Sequence, residues 1–99
     1  MTHLRQQLDD RIHSPVRFSV LSLLCAVDEA EFRAVRDAVE ISDSTLSQAV
    51  ALLGQAGFVI VRKQRLGRST RSWLSATDDG RAALRTHASA LSAIAEGHR

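Results

Sequence analysis

The sequence predicts a mainly α fold carrying one small β-hairpin, and three observations support that prediction. Apolar residues recur at helical spacing through five segments, most of them opened by a residue able to cap a helix. One run, Phe58-Val59-Ile60-Val61-Arg62-Lys63-Gln64, breaks that period and is rich in β-branched side chains. The charge is also unevenly spread. Residues 1–43 hold five Lys/Arg against eight Asp/Glu, residues 44–77 hold five Lys/Arg and no acid, and residues 78–99 hold three of each.

Taken in order, Leu4, Leu8 and Ile12 recur every four residues among polar neighbours, with Thr2 able to cap, which predicts a short N-terminal helix. Ser14-Pro15 is a firmer start, because serine accepts an orphan N–H and proline at the first helical position sacrifices no hydrogen bond. That helix is expected to reach about Ala26, with Val16, Val20, Leu23, Leu24 and Val27 inward and Ser19, Ser22 and Ala26 outward. Asp28 to Glu31 reads as an acidic break. Phe32, Val35, Ala38 and Val39 then give a short helix ending near Glu40, with apolar Ile41 inside the following turn. Ser42 caps a third helix with Asp43 in its first turn, a buried stripe of Leu46, Val50 and Leu53, and Gly57 as a left-handed cap. The strand from Phe58 to Gln64 and a second from Thr70 to Leu74 flank Arg65-Leu66-Gly67-Arg68-Ser69, which holds the glycine a hairpin turn needs. Thr77-Asp78-Asp79 caps a last helix running to about Glu96.

A chain of 99 residues with 44% hydrophobic and 24% charged content is the size of one small domain, 1–99, that gains from oligomerisation. The Met1 to Arg11 segment lacks the apolar centre of a secretory signal, and no run approaches the ~20 apolar residues of a bilayer span. A cytoplasmic, nucleoid-associated protein with no membrane partner is the expectation. The single Cys25 offers neither a disulfide nor a metal spacing.

Helix, short helix, tight turn, third helix and basic hairpin follow one another in the order of a winged helix-turn-helix, here with an added N-terminal helix and a long C-terminal dimerisation helix. A helix about 43–56 is narrow enough for the major groove of double-stranded DNA. Its early polar residues Ser44, Thr45, Ser47 and Gln48 lie off the apolar stripe and can read base edges. Gln48 is the strongest reader, since its amide can pair with adenine N6 and N7. Arg62, Lys63, Arg65, Arg68 and Arg71 form a basic wing over about 62–71, suited to phosphates or the minor groove, with Arg65 and Arg68 beside its tip.

Five fragments in order carry a family resemblance: Ser14-Pro15-x-Arg17, Phe32-x-x-Val35-Arg36-Asp37-x-Val39, Ile41-Ser42-Asp43-x-x-Leu46-Ser47, Ala56-Gly57-Phe58-Val59 and Thr77-x-x-Gly80-Arg81. From about Ile12 to Leu91 the sequence resembles the compact MarR-like winged helix-turn-helix transcriptional regulators. The resemblance implies a bacterial or archaeal regulator, usually a homodimer on a near-palindromic operator, with its wing against the minor groove. Two departures stand out. Glu40 occupies a turn position where the family usually has glycine, and Thr45, Gln48 and Ala49 stand where its reading helix often has an amide, a basic side chain or an imidazole.

Other residues fit blander roles. Trp73 is expected to seal the hairpin onto the helices, and Cys25, among apolar neighbours, to pack rather than react. His3, His13, His87 and His98 are too scattered for a metal set, and no nucleophile elbow or carboxylate pair suggests an enzyme or a cofactor. On the last helix Leu84, Ala88, Leu91 and Ala95 form a seam that, joined by Leu4, Leu8 and Ile12, is expected to pair two chains. Segments 1–12 and 78–96 are thus the expected dimerisation helices. Two alternatives stay open at this level. An acidic protein partner would use the same basic face, and a small-molecule effector would need a cleft between the dimer helices and the DNA-binding part.

Overall fold

The computed structural model describes residues 2–98; Met1 and Arg99, the ends of the expected domain and of segment 1–12, lie outside the described residues. The elements are a 3₁₀ turn Leu4–Gln7, α1 Pro15–Cys25, β1 Ala30–Glu31, α2 Phe32–Val39, α3 Asp43–Gln55, β2 Val59–Leu66, β3 Ser69–Ala76 and α4 Asp78–Ala95. Four helices and a small antiparallel sheet of order β1-β3-β2 match the expected architecture.

Three of the expected caps sit where the sequence places them. Ser14, Ser42 and Thr77 each accept an N–H of the first turn, from Arg17, Thr45 and Gly80, at 3.3, 3.1 and 3.0 Å. Both α2 and α3 end in the same double-bonded reversal. Ile41 N–H reaches Arg36 O and Glu40 N–H reaches Asp37 O, each at 3.2 Å; Phe58 N–H reaches Leu53 O at 2.9 Å and Gly57 N–H reaches Gly54 O at 3.0 Å. The residue at the reversal must be left-handed. Gly57 adopts φ 79 without strain, whereas Glu40 adopts φ 59 despite its Cβ. What holds Glu40 there is its neighbour, because Ile41 packs against the core and fixes the direction of the turn.

Ile12, Val20, Leu21, Leu24, Val35, Leu46, Val50, Leu53, Phe58, Val59 and Leu74 form one buried cluster. α1 is wrapped by α2, α3, α4 and β3, so its buried set is Val20, Leu21 and Leu24 rather than a single stripe. Leu21 is fully buried and the expected Val27 is 39% exposed. The N-terminal helix is corrected to one 3₁₀ turn followed by a strap, and its cap is His3 rather than Thr2. The reason is local competition. Asp9 N–H, which an α-helix would give to Arg5 O, goes to His87 Nδ1 at 2.9 Å, and the Asp9 carboxylate takes the Arg11 N–H at 2.9 Å.

The acidic break is also more ordered than expected. Ala30 and Glu31 pair with Leu74 and Trp73 as a third strand. In the hairpin, Leu66 faces Ser69 across a two-residue turn whose first residue, Gly67, has φ 61, the sign a type II′ turn requires. Strand alternation places Leu74 in the core, so Trp73 falls on the opposite face, half-buried. The expectation that Trp73 seals the ribbon onto the helices is therefore corrected.

α4 approaches the rest of the molecule through backbone. Thr77 N–H bonds Phe58 O at 2.9 Å, and the Thr77 hydroxyl donates to Gly57 O at 2.6 Å. A Cβ on Gly80 would collide with the Phe58 carbonyl, so only glycine fits there.

Candidate nucleic-acid interface

The candidate readers occupy the first two turns of α3, whose buried side is Leu46, Ala49, Val50 and Leu53. They are not equivalent. The Ser42 hydroxyl donates to Thr45 Oγ1 at 2.9 Å and lies 3.2 Å from Ser44 Oγ, so Ser44 and Thr45 belong to the cap network that starts the helix. Ser47 and Gln48 are exposed beyond that network. Arg36 holds the same helix start from α2, bonding Asp37 at 2.9 Å and Asp43 at 2.8 Å. Those two carboxylates hold its guanidinium even more firmly in the charged form.

The wing cations divide by strand face. Register sets Arg62 opposite Trp73 and Gln64 opposite Arg71, on one face of the hairpin, with Lys63 opposite Ser72 and Arg65 opposite Thr70 on the other. Arg62 is held by both Glu29 oxygens, at 3.0 and 2.8 Å, and its guanidinium lies 5.8 Å from the Trp73 ring. Trp73 in turn donates Nε1–H to Gln64 Oε1 at 3.0 Å. Arg71 lies 3.8 Å from Glu31. Arg62 holds the Glu29 carboxyl below the usual carboxylate range. Arg65 and Arg68 remain exposed beside and within the turn, and Lys63 is exposed on the strand leading to it. Sequence reasoning missed Glu29 and Glu31 as partners of the wing, because the strand that Glu31 belongs to and Glu29 precedes is too short to leave a pattern.

On α4 the buried side is Gly80, His87 and Ala90, and Ala83 and Leu84 pack against the core. Ala88 and Leu91 are half-buried and Ala95 is exposed, while Leu4 and Leu8 are half-buried on the strap. Ile12 is a correction. It is 0% exposed inside the core of its own chain and has no surface to give a second one.

Cys25 packs against the core, and burial pushes its thiol pKa up, which outweighs the opposing pull of Arg81 and Arg85. Among the described residues no group of three or more His, Cys, Asp or Glu could hold a metal ion. Among the same residues no helix is long and apolar enough to cross a membrane.

The model of the winged helix DNA-binding domain matches residues 16–95. No curated protein matches the sequence. Among solved structures, the transcriptional regulator homologue protein from Pyrococcus horikoshii OT3 superposes with a TM-score of 0.88 at 22% identity, over 98% of this chain and 97% of that one. The PcaV transcriptional regulator from Streptomyces coelicolor, solved with its natural ligand, gives 0.77 at 26% identity over 94% of this chain and 65% of that one. A MarR-family transcriptional regulator from Rhodococcus sp. RHA1 gives 0.69 at 21% identity over 92% and 64%. The chain thus spans about two-thirds of the length of the latter two, and it shares the fold the sequence led us to expect.

Proposed function

The chain belongs to the winged helix DNA-binding domain family, whose structural neighbours here are transcriptional regulators rather than enzymes, and on that premise we propose that it reads a specific site in double-stranded DNA. The observation that carries the reading is the pairing of a capped α3, with Ser47 and Gln48 exposed, and an acid-free block whose outer cations Lys63, Arg65 and Arg68 stand on a hairpin. In this reading α3 enters the major groove and the wing tip grips phosphates or the adjoining minor groove. Two chains pair through segments 1–12 and 78–96, using Leu4, Leu8, Leu84, Ala88, Leu91 and Ala95. Their α3 helices then lie about one DNA turn, ~34 Å, apart on a near-palindromic operator. The protein works on chromosomal DNA in the cytoplasm.

Selection of bound fragments from genomic DNA, read alongside sedimentation, tests both halves. A shared near-palindromic sequence and a dimeric species are expected. A monomer at micromolar concentration with and without DNA removes the dimer, and the absence of salt-sensitive binding to random genomic duplex removes the DNA reading in favour of a protein-interaction module.

A second reading, response to a small molecule, is favoured by a cleft of ≈430 Å³ lined by Ile12, His13, Ser14, Pro15, Phe18, Ser19, His87 and Leu91. Its walls are mainly apolar, with the His87 side chain among them. A ligand with a largely apolar body suits it. Calorimetric titration of such compounds against the wild type and His87→Phe, with binding only to the former, is the expected result.

A further inference from the structure

His87 is the buried polar side chain of the α4 face, 1% exposed, and its hydrogen bonds are lopsided. Its Nδ1 accepts Asp9 N–H at 2.9 Å, which requires a lone pair on Nδ1 and so places the ring proton on Nε2. Nε2 has no partner. The contact joins residues 78 apart in sequence and ties the strap to α4.

We propose that the Asp9–His87 bond is a proton-operated latch, closed when His87 is neutral and opened when it is protonated, which frees the strap from Thr2 to Leu8. An imidazolium carries N–H on both nitrogens, so Nδ1 would confront the Asp9 N–H donor to donor while Nε2 kept its unpaired proton in an enclosed site. The surroundings offer the cation little. From the strap, the Asp9 carboxylate is committed to Arg11 through two contacts of 2.9 Å, and the His13 ring lies 5.3 Å away. From α1, Phe18 lies 5.8 Å away, Ser14 and Ser19 line the cleft, and Arg17 is turned onto the carbonyls of Asp10 and Arg11. Arg81 and Arg85 of α4 lie toward Cys25. Burial and His13 both depress the His87 pKa, with the Asp9 carboxylate opposing them.

The hinge is also defined. Ile12 is fixed in the core, Arg17 holds Arg11 O at 2.7 Å and Asp10 O at 3.1 Å, and the N–H groups of Ile12 and His13 hold Asp9 O at 2.9 and 2.7 Å, so residues 9–12 stay while the segment before them lifts. The sign follows from the lowered pKa. The closed latch is fully favoured above the ordinary histidine pKa and is lost as pH falls below it toward the depressed value. The freed segment carries Leu4 and Leu8, and for that consequence alone the inference rests on the dimer reading.

The test follows Asp9 amide protection, corrected for intrinsic exchange, from pH 8 to pH 5, with the histidine ¹⁵N shifts of the same wild-type sample. Expected are the Nε2–H form of His87 at pH 8, a fall in Asp9 protection of tenfold or more as His87 titrates, and flat protection in His87→Gln, whose amide oxygen can accept the same N–H without titrating. His13→Gln should keep the transition and move it to higher pH. An Nδ1–H or doubly protonated His87 at pH 8, or an Asp9 transition absent from the wild type, overturns the proposal, and these two readouts need no variant to fold. A transition retained in His87→Gln overturns it as well.

Discussion

Where β3 leaves β1, the arginines of the hairpin face carboxylates, Arg62 against Glu29 at 2.8 Å and Arg71 against Glu31 at 3.8 Å. On the other face and at the turn, Lys63, Arg65 and Arg68 face none among the described residues. The five cations are one block in sequence and two sets in space. The inner set is already neutralised and braces the wing against β1, while the outer set keeps its field for a polyanion. A like-charged run therefore does not translate into equal contacts, and counting arginines overstates the clamp.

Breaking the outer set should have the largest effect. Arg65→Ala with Arg68→Ala is expected to weaken binding to specific and random duplex alike and to flatten the plot of log affinity against log salt by about 0.9 for each phosphate no longer neutralised. Fluorescence anisotropy at several salt concentrations checks this, and an unchanged slope would remove the clamp assignment. Next in size, Gln48→Ala should leave the slope alone and cut discrimination between operator and mismatched sites by about 1–3 kcal/mol, measured by competition with single-base variants.

Glu40→Gly sharpens the comparison as a control away from the hairpin. Relieving the left-handed glutamate, less the freedom glycine adds to the unfolded chain, should raise stability by up to about 1 kcal/mol in urea unfolding, with no change in salt slope. Glu29→Gln should do least to DNA binding, leaving the slope unchanged while lowering the melting temperature slightly. Because the Glu29 pKa is lowered in the fold, its stabilising share is present above the ordinary carboxylate pKa and fades as pH falls through the depressed one. The difference in melting temperature between wild type and Glu29→Gln should accordingly vanish in strong acid. A steeper salt slope in Glu29→Gln would show that Arg62 had been withheld from DNA rather than committed as a brace.

What could be read from the sequence was what nearby residues decide. Ser14, Ser42 and Thr77 announce helix starts because a cap involves residues three apart, and Gly67 announces a turn because its backbone sign is local. The exposed Gln48 and wing-tip arginines followed from the same short-range patterns. What the sequence hid depends on distant partners. β1 exists only because β3 passes beside it, and Leu4-Leu8-Ile12 spacing fails to make a helix because His87 takes the amide a helix needs. Ile12 shows the same limit, since periodicity finds an apolar position without saying which chain will cover it.

The seat of Gly80 on Phe58 gives the molecule a mechanical property. At this joint the end of α3 and the start of α4 meet through main-chain atoms, reinforced by Thr77 on Gly57 and Phe58. A side chain at such a joint could change rotamer, whereas the approach of a Gly80 Cβ to the Phe58 carbonyl leaves no room for one. The start of α4, an 18-residue helix, is therefore seated directly on the turn that follows the reading helix, at residues 57–58.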